Sequence, residues 1–312
     1  MTVLEVRNLN LGFNCECGFR QALFDVSFSL EKGKMHALVG ESGCGKTISA
    51  MSILQLLPKT AKITGGEIIF NKKNLLAGED MRKIRGAKIA LIPQDPMTSL
   101  NPLYTVGNQL LEVIKIHHGL KGDKAYKKAV EALDAVQIPC AKERMKAYPH
   151  EFSGGMKQRA IIAMALACNA EVLIADEPTT ALDVTIQAQI MNLLNEIKKD
   201  TAILLITHDL ALVGENSDYV SVMYAGRVVE TAPAQEFFAN PKHPYSQALL
   251  NSLPQNNTCR LKTIQGQPPT IMQNIQGCRF HPRCEKCIDI CTLKVPTLDN
   301  VGINHYSACF RN

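Results

Sequence analysis

The chain has 312 residues, of which 46% are hydrophobic and 20% are charged, and its formal net charge is +5. This is an ordinary globular composition with enough apolar residues to form a core. So small a positive charge on a chain of this length does not by itself indicate a nucleic-acid partner.

The sequence has no segment that approaches the roughly 20 consecutive apolar residues of a membrane-spanning helix. Its longest apolar stretch, residues 160–168, is far shorter and indicates a buried helix. The N-terminus carries acidic and polar residues where a signal peptide would have an apolar segment. We therefore expect a chain that is soluble by itself and reaches a membrane only through partner proteins.

The first predicted elements are antiparallel strands across residues 3–30, with Cys15, Cys17 and Gly18 in a polar loop between them. A strand at 35–39 then runs into a glycine-rich turn. Beyond this turn, the pattern predicts helices at 48–57, 105–144, 160–167 and 186–197, strands at 67–70, 88–92, 171–175 and 201–206, and a hairpin at 219–230. Strands that alternate with helices indicate a mostly parallel sheet covered on both faces.

Residues 40–47, GESGCGKT, match the phosphate-binding P-loop pattern and lie between a predicted strand and a predicted helix. Glycines let backbone N–H groups turn toward phosphates, and the helix N-terminus adds favourable partial charge. Lys46 is expected to contact the β- and γ-phosphates, and Thr47 to supply a hydroxyl to Mg²⁺. The nominated nucleotide-binding residues of this loop are Gly40, Ser42, Gly43, Cys44, Gly45, Lys46 and Thr47.

An apolar strand ends in two carboxylates at Asp176 and Glu177. A buried parallel strand delivers its C-terminal residues to the ligand crevice of an α/β sheet. Together with the upstream P-loop, this predicts that Asp176 holds Mg²⁺ through its water shell. Glu177 is predicted to orient and polarise the attacking water as a general base.

Residues 152–159, FSGGMKQR, resemble the signature loop of ABC ATPases, and three further segments resemble other loops of that family. Gln94 matches the Q-loop glutamine, residues 181–183 (ALD) match the D-loop with Asp183, and His208 matches the switch histidine. The departure is Met156, which stands where many members have glutamine. That substitution puts a side-chain contact in doubt but leaves the backbone donors in place.

The resemblance implies that two such domains meet head to tail and sandwich two ATP molecules. Ser153 and Gly155 would then contact the γ-phosphate held by the facing P-loop. His208 would hold the γ-phosphate and the attacking water, and Gln94 would contribute to Mg²⁺ and to catalysis. The adenine-stacking aromatic is Phe13 or, as the alternate, Phe19.

The C-terminal residues resemble the tail of the ATPases of dipeptide, oligopeptide and nickel importers. The matching segments are residues 240–250, 264–269 and 277–284. In that family the tail is associated with an iron–sulfur cluster, and a cubane cluster needs four thiolates. Matching by position nominates Cys278, Cys284, Cys291 and Cys309.

Cys287 departs from the family pattern, and two alternatives to the iron–sulfur cluster remain open. It forms half of a zinc-type spacing with Cys284, so a zinc ion with His281 or His305 as further ligands is the second reading. Metal-free thiols are the third. In any of these cases we expect a structural role rather than electron transfer.

The sequence thus predicts an α/β P-loop (RecA-like) ABC ATPase core with an antiparallel β subdomain. The core covers 1–239 and includes a helical subdomain at about 95–158, and a Cys-rich extension covers 240–312. By resemblance it hydrolyses ATP at the cytoplasmic face of the cell membrane and powers an importer. The expected cargo is a peptide, with nickel or a metal chelate as the alternative.

The expected partners are two transmembrane permease subunits, a second, non-identical ABC ATPase and, indirectly, an extracytoplasmic solute-binding protein. A rival class is the ABC ATPases that act on nucleic acid or the ribosome. In the DNA-repair members, a long coiled coil separates the P-loop from the signature, whereas that gap is short here. Translation factors of this class carry two cassettes in one chain, and this chain has one P-loop, so we expect no nucleic-acid partner.

Overall fold

The computed structural model describes residues 1–16, 18–180, 182–253 and 264–312, without the side chains of residues 96 and 97. These residues form two compact units. The P-loop unit consists of Thr2–Glu79 and Ile206–Asn312, and the helical unit consists of Asp80–Leu205 with Met1.

The P-loop unit contains two groups of strands. The first is an antiparallel sheet in the order β2-β1-β4-β5, whose strands are β1 (Thr2–Cys15), β2 (Gly18–Glu31), β4 (Ala61–Phe70) and β5 (Lys73–Asn74). The second runs in the order β11-β12-β10-β9-β3, with strands β3 (Met35–Val39), β9 (Tyr219–Tyr224), β10 (Arg227–Pro233), β11 (Asp299–Gly302) and β12 (His305–Ser307). β3 and β9 pair in parallel, and the remaining pairs are antiparallel.

The helices of the P-loop unit cover its strands and continue into the C-terminal residues. They are α1 (Lys46–Ile53), α9 (Leu210–Asn216), α10 (Ala234–Ala239), α11 (Pro244–Asn251) and α12 (Asp289–Leu293). β12 pairs with β10, so the C-terminal segment extends a sheet of the preceding chain. The division into 1–239 and 240–312 stays a prediction.

The helical unit contains three adjacent strands and seven helices among its described residues. The strands lie in the order β8-β7-β6 and are β6 (Ile89–Ile92), β7 (Val172–Asp176) and β8 (Ala202–Ile206). The helices are α2 (Met81–Ile84), α3 (Pro96–Ser99), α4 (Val106–His118), α5 (Gly122–Ala135), α6 (Ala141–Arg144), α7 (Gly154–Ala167) and α8 (Val184–Ile197). Helices α3 to α6 fall within the predicted helical segment 95–158.

Local chemistry explains where the helix α4 begins and ends. Thr105 caps its N-terminus, because its hydroxyl accepts a 3.2 Å hydrogen bond from the Asn108 N–H. Gly119 ends the helix with φ of 67°, a left-handed conformation that glycine adopts readily.

Three differences between the sequence-based elements and the structure have a local explanation or add elements to the C-terminal segment. The helix predicted at 48–57 begins at Lys46 and ends at Ile53, because Gln55 takes a left-handed φ of 51°. The loop predicted at 15–18 is shorter, because Cys15 pairs with Gly18 across the β1–β2 hairpin, and Cys17 lies outside the described residues. Beyond residue 240, where little periodicity was expected, α11, α12, β11 and β12 form.

No helix among the residues that the structure describes has both the length and the apolar character needed to cross a membrane.

Candidate nucleotide-binding site

The P-loop begins directly after β3 with a turn in which position 40 must be glycine. Its φ is 149°, and a Cβ there would lie 2.2 Å from the carbonyl oxygen of Met223 on β9. Gly45, with φ of 111°, is the N-cap residue of α1. The loop is also tied to the β9–β10 turn, since the Gly226 N–H donates a 2.8 Å hydrogen bond to the carbonyl oxygen of Cys44.

Lys46 lies at the centre of this loop, with only 6% of its surface exposed. Its Nζ donates to the carbonyl oxygens of Gly40 at 2.7 Å and Glu41 at 3.1 Å, and it lies 3.8 Å from the Cys44 sulfur. Burial raises the pKa of the Cys44 thiol. The ammonium group is therefore held by loop carbonyls, and Cys44 packs beneath it as a neutral thiol.

The rest of the loop fits a phosphate group. Ser42 and Gly43 are exposed, and a Cβ on Gly43 would meet no atom within 4 Å. Thr47 lies half-buried in the first turn of α1, where backbone N–H groups have no helical partner. An N-terminus of this kind, beside a lysine, is an anion site.

The two aromatic candidates for adenine lie in the β1–β2 hairpin. Phe13 is half-buried on β1, and Phe19 on β2 is 43% exposed. The Phe19 ring lies over Gly12, since a Cβ on that glycine would be 2.3 Å from the end of the ring. Which ring stacks on adenine stays a prediction.

In the helical unit, the carboxylate pair lies at the end of β7. Asp176 is fully buried, and Glu177 is half-buried just beyond the strand with a left-handed φ of 48°. That conformation is strained for a non-glycine residue and is frequent at functional sites. The Thr180 hydroxyl donates a 3.0 Å hydrogen bond to Glu177 Oε2, which fixes the orientation of the carboxylate.

The signature residues begin α7. Ser153 caps this helix, because its Oγ accepts a 3.3 Å hydrogen bond from the Met156 N–H. Ser153 is exposed, and Gly155 has Leu182 packed against it. The Gln158 side chain donates a 2.8 Å hydrogen bond to the carbonyl oxygen of Pro178, immediately after Glu177. The structure thus brings the signature helix and the carboxylate strand together within the helical unit.

The other nominated residues lie on exposed connections. Gln94 is exposed between β6 and α3, and His208 is exposed between β8 and α9. Asp183 caps α8, accepting a 3.0 Å hydrogen bond from the Ile186 N–H. Ala181 lies outside the described residues. The catalytic roles of these residues stay predictions.

The four nominated cysteines of the tail converge on one small cavity. Cys278, Cys284, Cys291 and Cys309 all line a space of about 10 Å³, which is roughly the room that one water molecule needs. Burial raises the pKa of Cys278 to about 11, and the three neighbouring thiols add to that shift. The donor set suits a site with four thiolates, but no group of three or more ligands among the described residues is arranged to hold a metal ion.

The residues of the zinc alternative lie partly at this cavity. Cys287 is exposed and does not line it, although its thiol is hydrogen-bonded to that of Cys291. His281 does line it, and its Nδ1 lies 2.9 Å from the carbonyl oxygen of Cys278. His305 is fully buried elsewhere, with Nε2 2.7 Å from the Glu230 carboxylate. His305 is therefore already engaged by a carboxylate.

Sequence reasoning indicated no role at the P-loop for two residues of the C-terminal segment. Arg283 and Tyr245 of the C-terminal segment contact Glu41, the second residue of the loop. Both residues belong to segments that resemble the importer tail. This resemblance marked the segments but did not indicate that they contact the P-loop.

Two family models match the chain, the ABC transporter model over residues 23–180 and the model of the oligopeptide/dipeptide transporter C-terminal region over residues 229–291. Among similar solved structures is the ATP-binding cassette MJ0796 as a dimer bound to ADP and Pi. It has a TM-score of 0.66 and 27% identity and covers 74% of this chain and 98% of that one.

Similar curated proteins extend over nearly the whole chain. A probable peptide ABC transporter ATP-binding protein of Sinorhizobium fredii is 49% identical over 99% of this chain and 95% of its own length. The oligopeptide transport ATP-binding protein OppD of Escherichia coli is 46% identical over 99% and 93%. The dipeptide transport ATP-binding protein DppD of Bacillus subtilis is 48% identical over 94% and 90%. The chain therefore belongs to the ABC transporter ATP-binding subunits that carry the oligopeptide/dipeptide transporter C-terminal region.

Proposed function

We propose that this chain is the ATP-hydrolysing subunit of an ABC importer that takes up peptides through a membrane permease. The observation that carries the proposal is the identity of 46% to an oligopeptide transport ATP-binding protein along 99% of the chain. The P-loop geometry agrees with it, because Lys46 and the start of α1 form a site for phosphate groups.

Phosphate binding, Mg²⁺ binding and activation of water are assigned to different residues. Lys46 and the P-loop glycines bind the phosphates, and Thr47, Asp176 and Gln94 are the residues proposed to hold Mg²⁺. The metal, when bound, neutralises charge that develops on the β- and γ-phosphates. Glu177 orients the attacking water and accepts its proton, and this role is supported by the hydrogen bond from Thr180 that fixes its carboxylate.

A facing cassette completes the site. We propose that Ser153 and Gly155 contact the γ-phosphate bound by a second ABC ATPase, that His208 contacts the phosphate of its own site, and that Asp183 lies in the same interface. The exposed position of Ser153 at the N-terminus of α7 supports this role. The partner is proposed to be a related but different chain, so that the pair is a heterodimer.

The membrane partners dock on the helical unit in this proposal. Leu103 and Tyr104 lie between α3 and α4 with 79% and 56% of their surfaces exposed. These two adjacent side chains offer apolar contact area to a partner. Two permease subunits, with an extracytoplasmic solute-binding protein beyond them, would place the chain at the cytoplasmic face of the membrane.

The tail is proposed to bind a 4Fe–4S cluster through Cys278, Cys284, Cys291 and Cys309, which requires their shared cavity to widen. Zinc held by Cys284 and Cys287 with His281 or His305 is the second candidate. Bound metal would link separate points of the C-terminal segment to one another, which is a structural role.

The rival class, ATPases that act on nucleic acid or the ribosome, lacks support here. In the described chain between Thr47 and Ser153, the longest helix is α5, with 14 residues, so that region holds no long coiled coil. Among cargoes, peptides have the support of the relatives' names, and nickel or a metal chelate is the alternative.

Reconstitution tests the proposal. The chain, its permease and the second ATPase are placed in lipid vesicles with the solute-binding protein, and uptake of a radiolabelled peptide is measured with and without ATP. ATP-dependent uptake that stops with the Glu177→Gln subunit supports the function. Uptake of nickel but not of any peptide would support the alternative cargo. If the chain hydrolyses ATP but assembles with no permease, the transport role is refuted.

A further inference from the structure

An ion pair joins the C-terminal segment to the P-loop. The Arg283 guanidinium donates to both carboxylate oxygens of Glu41, from Nη1 at 2.6 Å and from Nη2 at 2.9 Å. The Arg283 side chain is 6% exposed and that of Glu41 is 25% exposed. A bidentate pair that is partly withdrawn from water is stronger and more directional than a surface salt bridge.

The backbone of Glu41 is held as well. Its N–H donates a 3.0 Å hydrogen bond to the Tyr245 hydroxyl oxygen. Its carbonyl oxygen accepts from the Cys44 N–H at 3.2 Å and from Lys46 Nζ at 3.1 Å. Glu41, the second residue of the P-loop, is therefore held by the C-terminal segment on one side and by Lys46 on the other.

Both tail residues are themselves rigidly placed. Arg283 also donates from Nε to the carbonyl oxygen of Gln265 at 2.9 Å and from Nη1 to the Tyr224 hydroxyl at 3.3 Å. Tyr245 is fully buried, with its ring centroid 4.6 Å from that of Tyr224 and 5.3 Å from that of Phe280. Neither side chain can leave Glu41 without disturbing this aromatic cluster.

We propose that Arg283 and Tyr245 are positioning residues of the nucleotide site, so that the C-terminal extension forms part of the machinery that binds ATP. Arg283 acts in two ways. It fixes the Glu41 turn, and it neutralises the carboxylate of a P-loop residue whose backbone carbonyl oxygen accepts a hydrogen bond from Lys46. Without Arg283, this uncompensated negative charge in the P-loop would repel the triphosphate.

Removing the Glu41 carboxylate should rescue a chain that lacks the Arg283 guanidinium. In Arg283→Gln, Glu41 keeps its charge without its partner, and we expect the Kd for Mg-ATP to rise about tenfold. In the double variant Glu41→Gln/Arg283→Gln the uncompensated charge is gone, and most of the loss should be recovered. If Arg283 supported only the fold of the tail, removing the Glu41 carboxylate as well would restore nothing.

The test measures equilibrium binding of a fluorescent ATP analogue, with competition by Mg-ATP, to the purified full-length chain. Arg311→Gln is the matched control, since Arg311 is an exposed tail arginine that makes no contact with the P-loop. ATP hydrolysis by the assembled transporter should show a raised KM with little change in kcat for Arg283→Gln. Arg283→Lys, which keeps the charge but loses the bidentate geometry, should have an intermediate Kd.

The inference rests on the use of the P-loop for ATP and not on the cargo. A parent chain that bound no ATP would refute the proposed function itself. Normal binding by Arg283→Gln, or a Kd that the double variant raises further, would overturn this inference alone. If Arg283→Gln lowers only the thermal unfolding midpoint and leaves the Kd unchanged, the tail supports the fold and does not position the site.

Discussion

Gln158 of the signature helix donates a 2.8 Å hydrogen bond to the carbonyl oxygen of Pro178, the residue after Glu177. The Gln158 side chain is almost completely buried. This bond connects the segment that would face a second cassette to the segment that would activate water. We therefore expect a shift of α7 to alter the backbone beside Glu177.

Replacing Gln158 by Met keeps its volume and removes the donor. The Pro178 carbonyl would then lack this buried partner, so we expect the free energy of unfolding to fall by about 1–3 kcal/mol. We also expect kcat for ATP hydrolysis to fall several-fold while the Kd for ATP is unchanged, because Gln158 lies in the helical unit and not in the P-loop. Urea unfolding and steady-state kinetics measure these effects.

The control for this change is Gln235→Met, the same substitution at an exposed position of α10. It should leave both unfolding and hydrolysis close to those of the parent chain. A Gln158→Met protein with parental stability and kcat would show that the bond to Pro178 is dispensable.

Glu177→Gln should bind ATP normally but hydrolyse it at least roughly 100-fold more slowly, because an amide cannot accept the proton of the attacking water. Single-turnover hydrolysis and nucleotide binding separate the two effects. Glu171→Gln is the matched control, since Glu171 pairs with Lys88 at the other end of β7. Near-normal turnover by Glu177→Gln would remove its assignment as the general base.

The P-loop could be predicted from local sequence signals, because its residues are consecutive and belong to one turn between a strand and a helix. The strand that ends at Asp176 and the cap at Ser153 are likewise specified by residues that are close in the sequence. The Arg283–Glu41 pair could not be predicted in this way, since 242 residues separate its members. Only the tertiary packing of Tyr245 and Phe280 brings that arginine to the loop.

The end of α1 shows a second limit of sequence patterns. The apolar spacing continued past Ile53 to Leu56, which favoured a longer helix. In the structure Leu56 is 46% exposed, and the chain leaves the helix through Gln55. The spacing of apolar residues indicates which side chains could share one face of a helix. It does not indicate whether a neighbouring element covers that face.

The proposed metal in the tail predicts different results for two cysteines. Cys291 is buried and lines the shared cavity, whereas Cys287 is exposed and lies outside it. After anaerobic purification we expect about four iron atoms per chain, or one zinc ion if the alternative holds. If the cluster is present, Cys291→Ser should lose the metal and Cys287→Ser should keep it. Zinc held through Cys284 and Cys287 would instead be lost from Cys287→Ser. Metal analysis and visible absorption measure both, and a metal-free parent chain would leave the thiols without this role.

Two buried histidines make the stability of the P-loop unit depend on pH. Burial lowers the pKa of His36 and of His243 to about 4 each. Both are therefore neutral in the folded chain at neutral pH, and His243 Nδ1 accepts a 3.1 Å hydrogen bond from the Tyr245 N–H. Above about pH 6.5 the folded and unfolded chains bind the same number of protons at these sites, and the full stability is present.

As the pH falls from about 6.5 toward 4, the unfolded chain takes up protons that the folded chain does not, so the free energy of unfolding decreases. Between about pH 7 and pH 5 we expect each histidine to account for roughly 2 kcal/mol of this loss. His36→Gln should make the decrease smaller, since glutamine does not titrate and can still bond to the Ser221 hydroxyl, which lies 2.8 Å from the imidazole. His150→Gln, at an exposed position, should leave the pH dependence unchanged. Urea unfolding at the two pH values measures this decrease. An equal decrease in the free energy of unfolding for His36→Gln and for the parent chain would show that His36 does not cause it.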